Sequence, residues 1–259
     1  MKIVVCVKYV PDATGDRKFN ADNTVDREGV DGVLSELDEY AVEEALQIRD
    51  AQDGEVVVVT VGPEVARAAI LRSLQMGADA GVHVLDDAIR GSDSVGTSLV
   101  LAKAIERQAV DLVLCGMAST DGGMSVVPAM LAERLGLPQV TFASEVTVEG
   151  STVRIRRDGD AATEIIEATV PLLLSVTDQC NEPRYPSFKG IMAAKKKPVE
   201  TLALADLGVA ADEVGLDAAW TRVDGFSERP PRSSGTIVTD DDGSGADGLV
   251  AFLVGQKFI

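Results

Sequence analysis

Hydrophobic residues in the first half of the chain follow two alternating patterns, short continuous runs and longer segments of helical period. The continuous runs are rich in valine and predict strands buried on both faces at 2–10, 55–63, 81–86 and 110–116. The periodic segments predict helices at 35–54, 64–77, 91–108 and 125–136. This alternation is typical of a doubly wound α/β domain with a mostly parallel sheet.

The pattern changes in the second half of the chain. Four strand-like segments follow one another directly, at 139–150, 151–160, 163–170 and 171–178. Gly- and Asp-containing turns separate them, which predicts antiparallel hairpins that extend or edge the parallel sheet.

The chain loosens after residue 200. We expect an α/β domain over 1–200 and an extended C-terminal arm over 201–259. Residues 226–248 are rich in Ser, Gly, Pro and Asp and cannot bury enough apolar surface to fold by themselves. The apolar end, 249–259, predicts a helix. Such an arm docks either on a partner or on its own domain.

Composition argues against some classes of function. The formal net charge of -18 makes nucleic acid an unsuitable general partner. No apolar run reaches about 18 residues, so we expect no membrane span. The opening residues do not resemble a signal or transit peptide, and we expect a cytoplasmic protein.

The few nucleophilic and metal-ligating residues argue against most metal chemistry and against a hydrolase. Cys6 and Cys115 lie in apolar runs as small hydrophobic residues, no CxxC occurs, and the single His83 lies in a strand pattern. A Ser–His–Asp arrangement cannot be assembled from these residues. We therefore predict no metal site and no hydrolase activity.

The loop after the fourth strand is the candidate ligand site. It begins at Gly116, at the strand end where doubly wound sheets bind ligands. Gly122 and Gly123 permit close backbone approach, hydroxyls follow at Ser119 and Ser125, and the next helix presents free amides. The loop is neither a P-loop nor a GxGxxG fingerprint. It predicts an anion or nucleotide site, with an ordinary helix start as the alternative.

The segment "NEPRYPSFKGIMAAKKKPVE", beginning at residue 181, suits neither a core element nor a plain linker. Pro183 and Pro186 interrupt regular structure, and its apolar side chains have no clear period. We predict that this segment contacts another molecule. The lysines at 195–197 contribute to docking or form a solvated surface run.

Several stretches together resemble the beta subunit of the electron transfer flavoproteins. They are "VVCVKYVPD", "DEYAVEEAL", "LQMGADAGVHV", "DLVLCG" with "STDGG", "ERLGLPQVTFAS" and "VPLLLSVTDQCNEPRYPSFKGIMAAKKKPVE". The resemblance covers about residues 1–208. It implies an adenine nucleotide alpha hydrolase-like fold and a heterodimer with an alpha subunit, in which this chain is an electron-carrier subunit and not itself an enzyme. That complex carries electrons from acyl-CoA and related dehydrogenases to a quinone-linked oxidoreductase, a role in fatty acid oxidation.

The resemblance also implies cofactors. FAD, one per heterodimer, is held mainly by the alpha subunit, and this subunit holds a structural AMP. The implied AMP contacts are Cys6, Ser35, Glu36, Leu37, Asp38, Val61, Gly116, Ser119, Thr120, Asp121, Gly122, Gly123, Met124, Ser125, Val126 and Val127. The TAQVGP-like string of electron-bifurcating relatives, which bind a second FAD, is missing here.

Further roles follow from the same resemblance. Leu37 and Asp158 are implied to lie near the flavin of the alpha subunit, although "RDGD" equally suits a hairpin turn at Asp158. The stretch 183–192 corresponds to the dehydrogenase recognition loop, whose implied partner contacts are Tyr185, Phe188, Ile191 and Met192. Relatives commonly carry Leu at the position of Phe188. The alternative is that Phe188 packs internally.

Two other functions stay open. One is an electron-bifurcating flavoprotein subunit with its own FAD. The other is a stand-alone adenine-nucleotide-binding regulatory protein, which would use the same loop at 116–127 and fold its arm back on itself.

Overall fold

The structure is a computed structural model that describes residues 1–15, 18–232, 235, 237–240 and 242–259. It divides into two units, Met1–Asp224 and Gly225–Ile259. Part of the predicted loose stretch 226–248 therefore lies outside the described residues.

The described residues contain twelve strands and eight α-helices. The strands are β1 Lys2–Cys6, β2 Tyr9–Pro11, β3 Gly32–Leu34, β4 Glu55–Val61, β5 Ala80–Val84, β6 Leu112–Gly116, β7 Gln139–Ala143, β8 Glu145–Glu149, β9 Thr152–Asp158, β10 Thr163–Thr169, β11 Leu172–Val176 and β12 Val199–Leu202. The helices are α1 Glu36–Gln52, α2 Arg67–Met76, α3 Ser94–Glu106, α4 Val127–Leu135, α5 Phe188–Ala194, α6 Leu204–Leu207, α7 Gly215–Ala218 and α8 Gly245–Gly255.

Seven strands form the central sheet in the order β12-β5-β4-β1-β6-β11-β7. Every described pair in this sheet is parallel. From β1 the chain proceeds to β4 and β5 on one side and later to β6 on the other, so the order reverses between β1 and β6. The predicted doubly wound α/β fold is confirmed.

Helices cover both faces of this sheet, which explains its continuous apolar runs. Alternate residues of β1 point to opposite sides, because side chains in a strand alternate between faces. Ile3 and Val5 belong to a buried cluster that includes residues of α1 and α2. Val4 and Cys6 belong to a second cluster with residues of α3 and α4.

The predicted hairpins are only partly antiparallel extensions. The run 139–150 forms two strands, β7 in the central sheet and β8 in a separate antiparallel sheet of order β10-β9-β8. The run 171–178 is no hairpin strand, because β11 lies inside the parallel sheet between β6 and β7. Burial explains the difference, because all five residues of β11 are buried, whereas the residues of β8 alternate between exposed and half-buried.

The first unit extends beyond the expected boundary at residue 200. β12, which the sequence did not predict, joins the edge of the sheet beside β5. Leu204, Leu207, Val209 and Val214 are buried in the core behind it. The compact unit therefore ends at Asp224, because these apolar side chains pack onto the α/β domain.

The second unit contains α8, which covers much of the predicted apolar end. Its apolar side chains Leu249, Phe252 and Val254 are exposed. Among the described residues, no helix is both long and apolar enough to cross a membrane.

Candidate functional site

The candidate site lies where the strand order reverses, at the carboxyl ends of β1 and β6. Cys6 ends β1, and Gly116 ends β6 beside it. Val61 ends β4, the neighbouring strand on the other side of β1. This edge is the position at which open parallel sheets bind ligands. We call it the crevice.

The first turn of α1 closes one side of the crevice. Ser35 precedes the helix, but its side chain does not cap it. Its Oγ instead accepts the N–H of Thr120 at 3.4 Å, and the Asp38 carboxylate accepts the N–H of Lys8 at 2.8 Å. The spacing of Ser35 and Asp38 in the sequence suits a capping box, but these two side chains do not form one. Both buried side chains tie the helix to the end of β1 and to the loop.

Gly116 is required by the close approach of α1 to β6. A Cβ atom on this residue would lie 2.7 Å from the Leu37 carbonyl oxygen and 2.7 Å from Asp38 Oδ1. Both contacts are shorter than real Cβ contacts, so a larger residue would push the first turn of α1 away. Leu37 itself is half-buried in that turn, and Glu36 is exposed.

We expect Gly116→Ala to lower the free energy of unfolding by about 1–3 kcal/mol, the usual cost of overpacking a tight contact. Gly122→Ala is the control in the same loop, because its added Cβ would meet its nearest neighbour, Ser119 Oγ, at an ordinary 3.4 Å. Urea unfolding of both variants measures the difference. Equal unfolding midpoints for the two variants would contradict the close packing of Gly116.

Asp121 is a buried carboxylate of the loop that pairs with two cations. Its side chain is 2% exposed, and it forms salt bridges with Lys8 at 2.9 Å and with Arg27. Burial acts to raise the pKa of Asp121, but the Lys8 charge and hydrogen bonds from Arg27 and Lys8 outweigh it and hold that pKa well below its usual range. Lys8 also donates to Ser119 Oγ at 3.4 Å. The crevice thus contains two cations beside a buried carboxylate.

Sequence reasoning did not identify Lys8 or Arg27. Lys8 carried a detectable signal, since it is a lone charge near the end of an apolar strand pattern. Arg27 carried none, because its loop reaches the crevice only through tertiary folding.

Asp38 differs electrostatically from Asp121. Burial raises the pKa of Asp38 to about 7, although the Lys8 N–H and the Lys8 charge act to lower it. Beneath it, the neighbouring Cys6 thiol and burial raise the pKa of Cys115. A thiol of raised pKa is a poor nucleophile, in keeping with a structural role for Cys115. His83 is likewise buried, and its Nε2 lies 3.0 Å from the Gly62 carbonyl oxygen.

The loop from Met117 to Val126 joins β6 to α4 across the mouth of the crevice. Gly123 and Ser125 have positive φ angles of 62° and 57°. Such conformations turn the backbone sharply and can aim N–H groups at a ligand. The remaining predicted contacts lie on this path into α4: Gly122 and Met124 are exposed, and Thr120, Val126 and Val127 are half-buried.

The loop leads into a helix start suited to an anion. Pro128 occupies the first turn of α4, where no intrahelical N–H bond is lost. The first amides of a helix lack intrahelical acceptors and lie at its positive end. A phosphate group or another anion therefore suits this loop, and Lys8 and Arg27 add positive charge nearby.

A separate open cleft of about 440 Å³ begins where the loop begins, at Met117, and is lined by residues including Phe142 and Asp158. Asp158 ends β9 and accepts hydrogen bonds from Ser144 Oγ and Thr163 Oγ1, both at 2.7 Å. Leu37 does not line this cleft. The hairpin position of Asp158 agrees with its interpretation as a turn residue, and its place in the cleft leaves it accessible.

The stretch before α5 is braced against α1. Arg184 donates to Glu43 at 2.8 Å and to Asp50 at 3.2 Å. Asn181 donates to the Tyr40 carbonyl oxygen at 3.1 Å. The chain path between Pro183 and Pro186 is therefore fixed by charged contacts rather than by a core.

The predicted recognition loop ends in a short helix, α5, which the sequence did not predict. Ser187 caps it by accepting the Gly190 N–H at 3.0 Å. Gly190 lets α5 lie close to α2, because an added Cβ would be 2.5 Å from the Gln75 carbonyl oxygen. Capping and close packing thus form a helix despite the irregular apolar spacing.

Four apolar side chains of this segment face solvent. Tyr185 is 88% exposed and Phe188 81% exposed, and Ile191 and Met192 are also exposed. The alternative that Phe188 packs internally is therefore wrong. We call these four residues the apolar knob.

The three consecutive lysines are not equivalent. Lys195 and Lys196 are exposed, but Lys197 donates to the carbonyl oxygens of Leu74 at 3.0 Å and Ala78 at 2.5 Å. Burial lowers the pKa of Lys197. Two lysines form a solvated run, and the third joins the segment to α2.

Among the described residues, no group of three or more His, Cys, Asp or Glu side chains is placed to hold a metal ion. The polar groups of the crevice are carboxylates, hydroxyls, amides and two cations.

The fold and the crevice together define a doubly wound α/β domain with a polar crevice at its switch point. Comparison with known proteins narrows this class. The family model of the electron transfer flavoprotein domain matches residues 22–207. The chain therefore belongs to the electron transfer flavoprotein family, in which it groups with the beta subunits.

Relatives match over the full chain. Electron transfer flavoprotein subunit beta of Mycobacterium tuberculosis is 47% identical over 264 residues, covering 99% of both chains. The protein of the same name from Thermoanaerobacterium thermosaccharolyticum is 38% identical, with all of both chains covered. The caffeyl-CoA reductase-Etf complex subunit CarD of Acetobacterium woodii is 34% identical over the same coverage. The chain thus has an electron-transfer role, and a beta subunit implies an alpha-subunit partner.

Proposed function

We propose that this chain is the AMP-binding beta subunit of a heterodimeric electron carrier. The complex takes electrons from acyl-CoA and related dehydrogenases and delivers them to a quinone-linked oxidoreductase. FAD, held mainly by the alpha subunit, supplies the electron-accepting and electron-donating chemistry. The chain itself carries no catalytic residue. It holds the alpha subunit and presents a docking surface to the dehydrogenase.

The observation that carries this proposal is the apolar knob. Two aromatic side chains, Tyr185 and Phe188, are almost fully exposed on a segment that Arg184 and Gly190 hold rigidly against α1 and α2. Aromatic anchors dominate many protein interfaces, and a fixed backbone loses little freedom on docking. Side chains held in this way suit insertion into an apolar pocket of a partner.

The crevice supports AMP as the ligand. The loop residues 119–127 would hold the phosphate and ribose through backbone amides and hydroxyls, with Cys6, Val61 and the first turn of α1 around them. Lys8 and Arg27 lie beside the loop and would favour a dianionic phosphate. In this role AMP would be structural, because the residues that would hold it lie on α1, β1, β6 and the loop.

The C-terminal unit supports contact with the alpha subunit. Its helix α8 exposes Leu249, Phe252 and Val254, an apolar set that would be covered by a partner protein. Leu37 and Asp158 are proposed to face the alpha-bound flavin, Asp158 from the open cleft.

A second candidate is an electron-bifurcating subunit that binds its own FAD in the crevice. The relative CarD, 34% identical, is named as a subunit of a caffeyl-CoA reductase-Etf complex, and we retain this second candidate for that reason. The two candidates predict different ligands in the same crevice.

Co-expression with an alpha chain tests both candidates. We expect a yellow heterodimer that releases one AMP and one FAD on denaturation, identified by chromatography and mass spectrometry. Two FAD and no AMP would replace the first candidate by the second. A colourless chain that never associates with an alpha subunit would contradict both.

A further inference from the structure

The last part of the first unit is fastened to the turn that precedes α3. The Gly215 N–H donates to Ser92 Oγ at 2.7 Å. Gly91 lies so close that an added Cβ would be 2.7 Å from Leu216 Cβ. These contacts bring residues 215–221 to the N-terminus of α3, far from their position in the sequence.

Asp93 divides its two carboxylate oxygens between two tasks. Oδ1 accepts the N–H groups of Val95 at 3.0 Å and Gly96 at 3.1 Å, and so caps α3. Oδ2 accepts the N–H groups of Trp220 at 2.9 Å and Thr221 at 3.0 Å, and the Thr221 hydroxyl at 3.1 Å. Three donors thus converge on one oxygen. We call this arrangement the Asp93 clasp.

The carboxylate is suited to this task. Burial acts to raise the pKa of Asp93, but the N–H groups of Gly96 and Thr221 outweigh that effect and lower it. Asp93 is therefore ionised, and hydrogen bonds to an ionised acceptor are stronger than those between neutral groups.

Little else orders the clasped residues. Trp220 is 84% exposed, and the side chain of Val223 is also exposed. Few apolar contacts can therefore define their path. The clasp acts with two further hydrogen bonds to hold the chain where it leaves the first unit, from Asn23 Nδ2 to the Val223 carbonyl oxygen at 2.9 Å and from Arg222 to the Leu216 carbonyl oxygen at 3.2 Å.

We propose that Asp93 is a positioning residue for subunit assembly, because it fixes the point from which the C-terminal unit departs. This inference rests on the proposed docking of the unit Gly225–Ile259 on the alpha subunit. A segment that is already ordered at its base loses less freedom when it docks. The clasp therefore raises the affinity for the alpha subunit without touching it.

Asp93→Asn separates the two tasks of the carboxylate. The amide oxygen can still cap α3, since Asn is as good an N-cap as Asp. The amide nitrogen is a donor and cannot accept from Trp220 or Thr221. We expect the unfolding midpoint of the first unit to stay close to that of the wild type. We expect the dissociation constant of the complex with the alpha subunit to rise about tenfold or more, as an order of magnitude.

Asp86→Asn is the matched control. Asp86 also caps a helical turn, accepting the Ala88 N–H at 3.0 Å, and its second oxygen accepts the Leu204 N–H at 3.3 Å. The substitution removes the same charge but leaves residues 220–221 in the clasp. We expect its affinity for the alpha subunit to match that of the wild type.

Trp220 reports on the clasp directly, because it is the only tryptophan in the chain. We expect Asp93→Asn in the full-length chain to lower the fluorescence anisotropy of Trp220 and to speed hydrogen exchange at the Trp220 and Thr221 amides. Asp86→Asn should change neither measurement. If Asp93→Asn fails to fold, Thr221→Pro removes both Thr221 donors while Asp93 and its cap of α3 remain.

The outcomes separate this inference from the proposed function. If the wild type binds the alpha subunit, and Asp93→Asn binds it equally well with a mobile Trp220, the positioning role is overturned. An unchanged Trp220 anisotropy would overturn the clasp itself. If the wild type does not bind the alpha subunit, the proposed function fails and the assembly role with it, and the anisotropy still shows whether Asp93 orders the segment.

Discussion

Replacing Phe188 with aspartate is expected to lower kcat/KM for electron uptake from an acyl-CoA dehydrogenase by about 10- to 100-fold. Burying a phenylalanine side chain contributes about 1.5–3 kcal/mol, and about 1.4 kcal/mol corresponds to a factor of ten in affinity. The variant should fold normally, because Phe188 is exposed in the free chain. Its AMP and FAD contents should equal those of the wild type. Reduction of the purified heterodimer by the dehydrogenase, followed by flavin absorbance, gives the rate.

Two variants identify the cause of such a loss. Phe188→Leu keeps an apolar side chain and should retain most of the rate. Lys189→Gln lowers the net charge by one unit, as Phe188→Asp does, at the adjacent exposed position. If Lys189→Gln lowers the rate as much as Phe188→Asp, the effect is one of charge and not of an apolar anchor. A Phe188→Asp complex with wild-type kinetics would remove the anchor role altogether.

Replacing Asp38 with asparagine should remove a pH dependence of stability. The pKa of Asp38 is raised to about 7 in the folded chain, so the folded state holds a proton that the unfolded state releases near pH 4. The resulting stabilisation is fully present below about pH 4 and is lost as the pH rises through 7. A shift of about three units corresponds to about 4 kcal/mol as an upper limit. Between pH 4 and 8, the wild type should lose up to that amount relative to Asp38→Asn.

Urea unfolding of the nucleotide-free chain at several pH values measures this difference. Salt bridges of Asp121 are present in both proteins, so their pH dependence largely cancels in the comparison. Ser35→Ala is the control, because it removes an uncharged buried side chain from the same turn and should shift stability by a similar amount at every pH. Parallel curves for the wild type and Asp38→Asn would show that Asp38 does not titrate in this range.

Much of the fold could be predicted from the sequence. Strands β1, β4, β5 and β6 are mostly buried, and their short continuous apolar runs are typical of strands covered on both faces. The edge strand β12 could not be predicted, because Val199–Leu202 exposes two of its four residues and carries no strong pattern. The position of β11 between β6 and β7 could not be predicted either. Pairing order depends on contacts between distant parts of the chain, which local periodicity does not record.

The sequence indicates where a candidate site lies but not which contacts form within it. Gly116 and the loop after it could be identified because glycine and hydroxyl residues follow a strand end. The salt bridge from Arg27 to Asp121 could not, since it joins two loops 94 residues apart. Ser35 illustrates the opposite error. Its spacing from Asp38 suits a helix cap, but burial beside Lys8 and Thr120 gives both side chains stronger tertiary partners.

The position of β11 between β6 and β7 has a consequence for synthesis on the ribosome. Strands β1, β4, β5 and β6 emerge first and can pair with one another in their final order, β5-β4-β1-β6. β7 emerges next, yet its neighbour in the described sheet, β11, follows only after all of β8, β9 and β10. A nascent chain halted in this interval exposes two unpaired edge strands, β5 and β6, and such edges are prone to misassembly. β11, which ends at Val176, then pairs with the free edge of β6. β12, which ends at Leu202, later pairs with the free edge of β5.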